Sequence, residues 1–125
     1  MIIPTQSEYL STAGTKDLVS SILKTKKDIN PQLEVEGILI TMTDNRTNQS
    51  KYIEKQIAEK YGEHLPVFKK SIPRRIAISE ASSVGKSIFT FEPKNESALA
   101  YSSLAKEVTS CAKKKLERNT DTRSR

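Results

Sequence analysis

The stretch Glu34-Val35-Glu36-Gly37-Ile38-Leu39-Ile40-Thr41-Met42 decides the fold. Its centre, Ile38 to Ile40, is a continuous apolar run, whereas a strand with one solvated face alternates apolar and polar residues. A continuous run is typical of a strand that is covered on both faces, as in a parallel sheet between helices. The stretch therefore predicts an α/β protein with a parallel, helix-flanked sheet.

Helical patterns lie on both sides of this strand. The apolar positions of the upstream helix are Leu18, Val19, Ile22 and Leu23, and those of the downstream helix are Ile53, Ile57 and Tyr61. The spacing of i, i+4 places each set on one helix face. We expect the upstream helix to end at Asn30-Pro31 and the downstream helix to run from residues 47–48 to Gly62. A separate helical turn, capped by Ser7 and beginning at Tyr9, is expected to be interrupted by Gly14.

The remaining segments complete the order strand, helix, strand, helix, strand, loop, helix. Further strands are expected at residues 2–4 and 67–72, a short extended piece at residues 87–91, and a last helix from Ser97. In the last helix the apolar positions are Tyr101, Leu104, Ala105, Val108 and Ala112. Between residues 72 and 85 we expect a helix-like piece with Ser79 or Ser82 as a cap and Gly85 at positive φ. Ligands of such sheets bind beyond the carboxyl ends of the strands, where residues 42–47 and 72–80 fall.

Composition excludes several classes of protein. The 125 residues suit one domain with an aliphatic core, since 35% are hydrophobic and 6% aromatic. No apolar run is long enough to span a membrane and no signal peptide is evident, so we expect no membrane partner and a cytoplasmic location. A single cysteine and a single histidine exclude an internal disulfide, a cysteine zinc cluster and most triads. Cys111 is expected to be a small buried helix residue.

The positive charge is concentrated at the end of the chain. Residues 113–125 include six basic and two acidic residues, so this segment contributes +4 of the net charge of +6. We therefore divide the chain into a domain of residues 1–112 and a basic, disordered tail of residues 113–125. Such a tail binds polyanions through phosphate contacts, or is simply a solvated terminus.

Four segments carry a family resemblance. In order, they are Ile3–Tyr9; Glu36–Asn48; Ile72–Arg74 together with Ile78–Ala81 and Gly85–Lys86; and Tyr101–Val108. Together they resemble the carboxy-terminal half of ParA/Soj-type chromosome or plasmid partitioning ATPases, which are relatives of MinD. The resemblance covers residues 1 to about 110 and implies part of a deviant-Walker P-loop NTPase-like fold without its amino-terminal P-loop half. For the intact family it implies ATP and magnesium, a homodimer, nonspecific DNA binding, a ParB-type partner and association with the nucleoid.

The resemblance also assigns site residues. On the base side of a nucleotide pocket it places Met42, Asp44, Ile72, Pro73 and Arg74. Arg46 matches a position at which the family has a DNA-contacting arginine, and a guanidinium is well suited to phosphate. A second basic position of the family's DNA surface is Ala77 here, and the neighbouring Arg75 is the candidate substitute. The complete set of DNA-binding candidates is Arg46, Arg74, Arg75, Lys113, Lys114 and Lys115.

The phosphate-binding motif of the family does not occur in the sequence. Val84-Gly85-Lys86-Ser87 contains Gly-Lys-Ser, but Glu80 stands where the first glycine of G-x-x-x-x-G-K-[ST] is required. We interpret this segment as a turn, and we expect the magnesium-binding aspartates of the family upstream of Met1. Phosphoryl transfer depends on phosphate positioning and metal charge. The chain alone is therefore expected to need no metal or other cofactor and to be inactive as an ATPase.

Three functions remain open at this point. The first is a truncated ParA-family partition protein, whose parent function is ATP-dependent DNA segregation. The second is a stand-alone basic DNA-binding or interaction module that uses no nucleotide. The third is a gene fragment without function, for which an exposed sheet edge at residues 1–4 would favour aggregation.

Overall fold

The computed structural model describes residues 1–7, 12–44, 46 and 48–123. The elements, in chain order, are β1 (Ile2–Gln6), α1 (Thr12–Asp28), β2 (Gly37–Thr43), α2 (Asn48–Tyr61), β3 (Ile72–Pro73), α3 (Ile76–Ser83), α4 (Ile88–Phe91) and α5 (Glu96–Arg123). Contacts divide the chain into a first unit, Met1–Arg74, and a second unit, Arg75–Arg125. The boundary between the two units differs from the division at residue 112 that we expected, and that division remains a proposal.

The first unit contains a three-stranded parallel sheet in the order β1-β2-β3. β1 and β2 pair from Ile2 with Gly37 to Gln6 with Thr41. β2 is buried without interruption from Gly37 to Ile40, which matches the continuous apolar run in its sequence. The predicted parallel sheet with flanking helices is confirmed.

Aliphatic side chains from the sheet and both helices form the core of the first unit. Its buried members are Ile3, Ile22, Ile38, Ile40, Ile57, Tyr61 and Leu65, with Val19, Leu33, Val35, Ile53 and Val67 packed against them. Ile38 is completely inaccessible to solvent and Ile3 is almost so. Because β2 lies between β1 and β3, its apolar run anchors the sheet to the helices.

The sequence predicted α2 more accurately than α1. α2 has the predicted bounds, and Ile53, Ile57 and Tyr61 all contribute to the core. α1 begins at Thr12 and continues through Gly14, so the predicted interruption is wrong; one glycine inside a helix costs only about 1 kcal/mol. Leu18 and Leu23, which we expected on the buried face, are exposed. The predicted helix start at Tyr9 lies outside the described residues.

The strand that we expected over residues 67–72 is interrupted. Val67 forms an isolated parallel bridge with Ile38, and regular pairing resumes only at Ile72 and Pro73. Lys69 and Lys70 between them are exposed and form a bend. Pro73, which we expected to end the strand, is its last residue, and the Arg74 N–H then donates to the Thr43 carbonyl at 3.0 Å.

The second unit is helical in its described part. Residues 87–91, expected to be extended, contain the one-turn helix α4, because the Ser87 hydroxyl caps it by accepting the Thr90 N–H. Gly85 has φ of 68°, as predicted for the end of α3. The predicted caps of α3 are wrong: Arg75 occupies the N-cap position, and the Ser82 hydroxyl donates to the Ile78 carbonyl inside the helix.

α5 is longer than the sequence suggested. It continues to Arg123, whereas we expected a disordered tail from residue 113. Lysine, leucine, glutamate and arginine are good helix formers, and they dominate residues 113–118. The buried residues of α5 are Ser97, Ala98 and Ala100 rather than the apolar positions from Tyr101 to Ala112. Cys111 is exposed, contrary to expectation.

Candidate functional site

The carboxyl ends of the three strands meet at one edge of the sheet, as parallel pairing requires. Ser7 follows β1 and its N–H donates to the Thr41 carbonyl at 3.1 Å. Arg74 follows β3 and its N–H donates to the Thr43 carbonyl at 3.0 Å. These two bonds link the strand ends through β2. We call this region, residues 7, 41–44, 46 and 71–74, the carboxyl edge.

β2 has a bulge at Met42. Thr41 pairs with Ile72 and Thr43 with Pro73, so Met42 is one residue too many for regular pairing. Its φ is 53°, in the left-handed region, and among the described non-glycine residues it alone has a positive φ. This region costs an L-residue roughly 1–2 kcal/mol. The Met42 side chain is 46% exposed, although Thr43 beside it is fully buried.

One buried hydroxyl group bonds directly to the bulge, and a second hydroxyl pair lies beside it without contacting Met42. The Ser7 hydroxyl donates to the Met42 carbonyl at 3.0 Å, and Ser7 has no exposed surface. The Thr43 and Ser71 hydroxyl oxygens lie 3.4 Å apart. From the sequence we expected Ser7 only to cap a helix. Its position at the end of a strand was the one signal that could have pointed to the edge.

Asp44 and Arg46 form a local pair beyond the end of β2. The Asp44 Oδ1 atom accepts the Arg46 N–H at 3.0 Å and lies 3.7 Å from the Arg46 Nε atom. The Arg46 side chain is 90% exposed. An exposed pair of this kind contributes little to stability, so the guanidinium can exchange the carboxylate for another anion at little cost.

The base-side candidates are only partly accessible. Met42 and Arg74 are exposed and Asp44 is half-buried, whereas Ile72 and Pro73 are buried. The structure therefore brings all five to the carboxyl edge, with three of them available to a ligand. Pro73, which the resemblance places on the base side of a nucleotide pocket, is buried in this structure.

The other DNA-binding candidates belong to the second unit. Arg75 forms an ion pair and hydrogen bond with Glu96 at the start of α5. Lys113 and Lys114 are exposed on α5 and Lys115 is half-buried. A phosphate would have to compete with Glu96 for Arg75, whereas Lys113 and Lys114 present their charge at the surface of the helix.

The exposed surface of the carboxyl edge includes the thioether of Met42. A polarizable thioether such as that of Met42 makes favourable contacts with aromatic rings. The exposed Met42 side chain can therefore contact the face of a planar ring. The described residues include no group of three His, Cys, Asp or Glu side chains that could hold a metal ion. No helix among the described residues is long and apolar enough to cross a membrane.

A parallel sheet flanked by helices, with its polar site at the carboxyl edge, is typical of P-loop NTPase-like nucleotide-binding proteins. The sequence model of the CobQ/CobB/MinD/ParA nucleotide binding domain matches residues 5–88. The chain belongs to this family.

Its relatives include proteins of chromosome partitioning. The sporulation initiation inhibitor protein Soj of Bacillus subtilis is 36% identical over 108 residues, which are 86% of this chain and 42% of Soj. The chromosome-partitioning ATPase Soj of Thermus thermophilus is 37% identical over 86% of this chain and 43% of its own length. The chromosome partitioning protein ParA of Caulobacter vibrioides is 33% identical over 88% of this chain and 40% of its own length. The resemblance to ParA/Soj proteins is thereby confirmed, and the chain spans about two fifths of the length of these relatives.

A solved structure gives the same fold. Cobyrinic acid a,c-diamide synthase from Mycobacterium smegmatis, with bound ADP and magnesium, superposes with a TM-score of 0.59 and 29% identity. The match covers 80% of this chain and 33% of the synthase.

Proposed function

We propose that this chain takes part in DNA partitioning as a ParA-family protein, and that it binds DNA without sequence preference. The observation that carries the proposal is Arg46, whose exposed guanidinium extends from the carboxyl edge. Phosphate contacts from arginine position a protein on DNA but carry no sequence information. The similarity to chromosome-partitioning proteins supports DNA as the polyanion.

The nucleotide part of the proposal concerns one wall of a pocket. Met42, Asp44 and Arg74 would line the base side, supported from below by Ile72 and Pro73. The phosphate-binding motif does not occur in the 125-residue sequence, so the chain alone is expected to lack most of the binding energy for ATP. Calorimetric titration with millimolar ATP should give no heat of binding. Clear heat with a magnesium-dependent dissociation constant would contradict this part of the proposal.

The wider activity follows from the relatives and is likewise proposed. It comprises ATP-dependent segregation of a chromosome or plasmid, dimer formation, a ParB-type partner, and a cytoplasmic location at the nucleoid. The name of the Thermus thermophilus relative includes partitioning and ATPase activity, which supports the first of these.

The test of DNA binding is the substitution Arg46→Ala. We expect it to weaken binding to unrelated duplexes alike and to reduce the slope of log affinity against log salt by about 1, because one phosphate contact is lost. Lys24→Ala removes an exposed positive charge from α1 and serves as the matched control. Equal losses for the two variants would mean that net charge, and not the carboxyl edge, holds the DNA.

A second candidate is a basic module that acts without nucleotide. The observation that favours it is the helical course of α5 through Lys113, Lys114 and Lys115 to Arg123, which orders charge that we expected on a disordered tail. A chain that ends at Ala112 separates the two candidates. Loss of all DNA binding on truncation would favour the module, whereas retained binding that still depends on Arg46 would favour the carboxyl edge.

A further inference from the structure

We propose that Ser7 is a positioning residue: its buried hydroxyl holds Met42 in the left-handed conformation, so that the Met42 side chain stays exposed at the carboxyl edge. The functional side of this inference rests on the proposed base-binding role of that edge. The conformational side stands on the structure of the bulge alone.

The first step is the conformation of Met42. A φ of 53° is common for glycine or asparagine and uncommon for methionine. Such outliers persist only where the surroundings determine them, and they cluster at functional sites. Three consecutive carbonyls are fixed here: Thr41 accepts the Ser7 N–H, Met42 the Ser7 hydroxyl, and Thr43 the Arg74 N–H.

The second step is the special position of Ser7. Of the three bonds, only the one to the Met42 carbonyl comes from a side chain, so it alone depends on residue type. Ser7 has no exposed surface, and the loss of its hydroxyl would leave the Met42 carbonyl without that donor. The main-chain bonds to Thr41 and Thr43 would remain after a substitution of Ser7.

The third step is the consequence for the surface. Solvent exposure along the end of β2 is intermediate at Thr41, high at Met42 and nil at Thr43. The bulge therefore presents one apolar, polarizable side chain at an edge whose other residues with exposed surface are polar or charged. That side chain suits the face of a purine base, and Ser7 would set its direction.

The experiment uses the two methionines as probes. Labelling the methionine methyl groups with ¹³C gives one signal from Met42 and one from Met1. We expect Ser7→Ala to shift the Met42 signal and to move the amide–Hα coupling constant of Met42 toward extended values. Ser7→Cys retains a weaker donor and should give intermediate values. Thr43→Val removes an equally buried hydroxyl next to Met42 and should leave both observables unchanged.

A suppressor variant keeps the test decisive if Ser7→Ala folds poorly. Asparagine adopts positive φ readily, so in a Met42→Asn background Ser7→Ala should no longer change the coupling constant of residue 42. Unchanged Met42 observables in Ser7→Ala, or equal changes in Ser7→Ala and Thr43→Val, would overturn the positioning role.

Titration with millimolar adenosine separates the two proposals. In the unmodified chain we expect adenosine to move the Met42 methyl signal, and Ser7→Ala to weaken the apparent affinity by about fivefold, because the competent conformation is less populated. No movement of the Met42 signal in the unmodified chain would contradict the base-binding role, while the coupling constants would still decide the role of Ser7.

Discussion

Tyr61 is a residue whose burial is only partly favourable. Its ring belongs to the core of the first unit, yet its hydroxyl is buried and has no hydrogen-bond partner among the described residues. A buried hydroxyl without a partner loses its hydration and gains nothing in return. We expect Tyr61→Phe to raise the free energy of unfolding by about 1 kcal/mol in urea denaturation.

The control for this prediction is Tyr52→Phe on the same helix. The Tyr52 hydroxyl is exposed and accepts a hydrogen bond from the Gln56 side chain at 2.7 Å. Its removal should leave stability unchanged or slightly lower it. A loss of stability in Tyr61→Phe would show that the hydroxyl has a partner, such as a buried water.

Glu54 makes stability depend on pH. Burial raises the pKa of this carboxyl above its ordinary value of 4.5, and the neighbouring Lys51 ammonium partly opposes the rise. The folded state holds the Glu54 proton more tightly than the unfolded state does. The stabilisation that this gives is therefore fully present below pH 4.5 and is lost as the pH rises through the raised pKa. Glu54→Gln should therefore stabilise the protein at pH 7 and have little effect at pH 4.

Thermal unfolding at the two pH values measures this difference. Glu59→Gln removes an exposed carboxylate from the same helix and controls for the change in net charge. Equal effects of Glu54→Gln at pH 7 and pH 4 would contradict the assigned cause.

At the scale of the elements, β2 requires a glycine. A Cβ atom at Gly37 would lie 2.8 Å from the Phe68 ring and 3.3 Å from the Pro66 carbonyl oxygen. Phe68 is buried, and its N–H donates to the Ile38 carbonyl, so the ring has little freedom to move. We expect Gly37→Ala to lower the free energy of unfolding by about 1–3 kcal/mol, the usual cost of overpacking.

A second-site variant tests the stated cause. Phe68→Leu removes the ring atoms that the new methyl group would meet, so the double variant should lose less stability than the sum of the two single variants. Additive losses would mean that the cost of Gly37→Ala arises in the backbone and not at the ring.

Elements with strong periodicity could be predicted from the sequence, and those that depend on local hydrogen bonds could not. The continuous run at Ile38–Ile40 predicted the covered central strand, and the bounds of α2 were predicted to within about one residue at each end. The short helix α4 was missed because Ile88, Phe89 and Phe91 fit a strand as well as a helix, and the Ser87 cap decides between them.

The candidate site, too, could be predicted from the sequence only in part. The sequence placed residues 42–47 and 72–80 at strand ends, and the structure brings residues 42–44, 46 and 72–74 to the carboxyl edge. The bulge at Met42 and its bond to Ser7 join residues 35 positions apart, which no local pattern encodes. The burial of Pro73 likewise depends on packing and not on residue type.

At the scale of the whole molecule, each unit carries basic residues that we propose as DNA contacts. Glu96 restrains Arg75 in the second unit, so Glu96→Gln should strengthen DNA binding by removing the competing carboxylate. Glu92→Gln, at an exposed carboxylate bonded to Asn95, changes the net charge equally and is the control. Equal gains in the two variants would show that only net charge matters.

The most direct test of the account is the salt dependence of DNA binding by the unmodified chain, measured on two duplexes of unrelated sequence. We predict that log affinity falls linearly with log salt, with the same slope of about −0.9 per phosphate contact on both duplexes and affinities that agree at every salt concentration. A shallow slope, or a strong preference for one duplex, would contradict phosphate-led binding by a ParA-family surface.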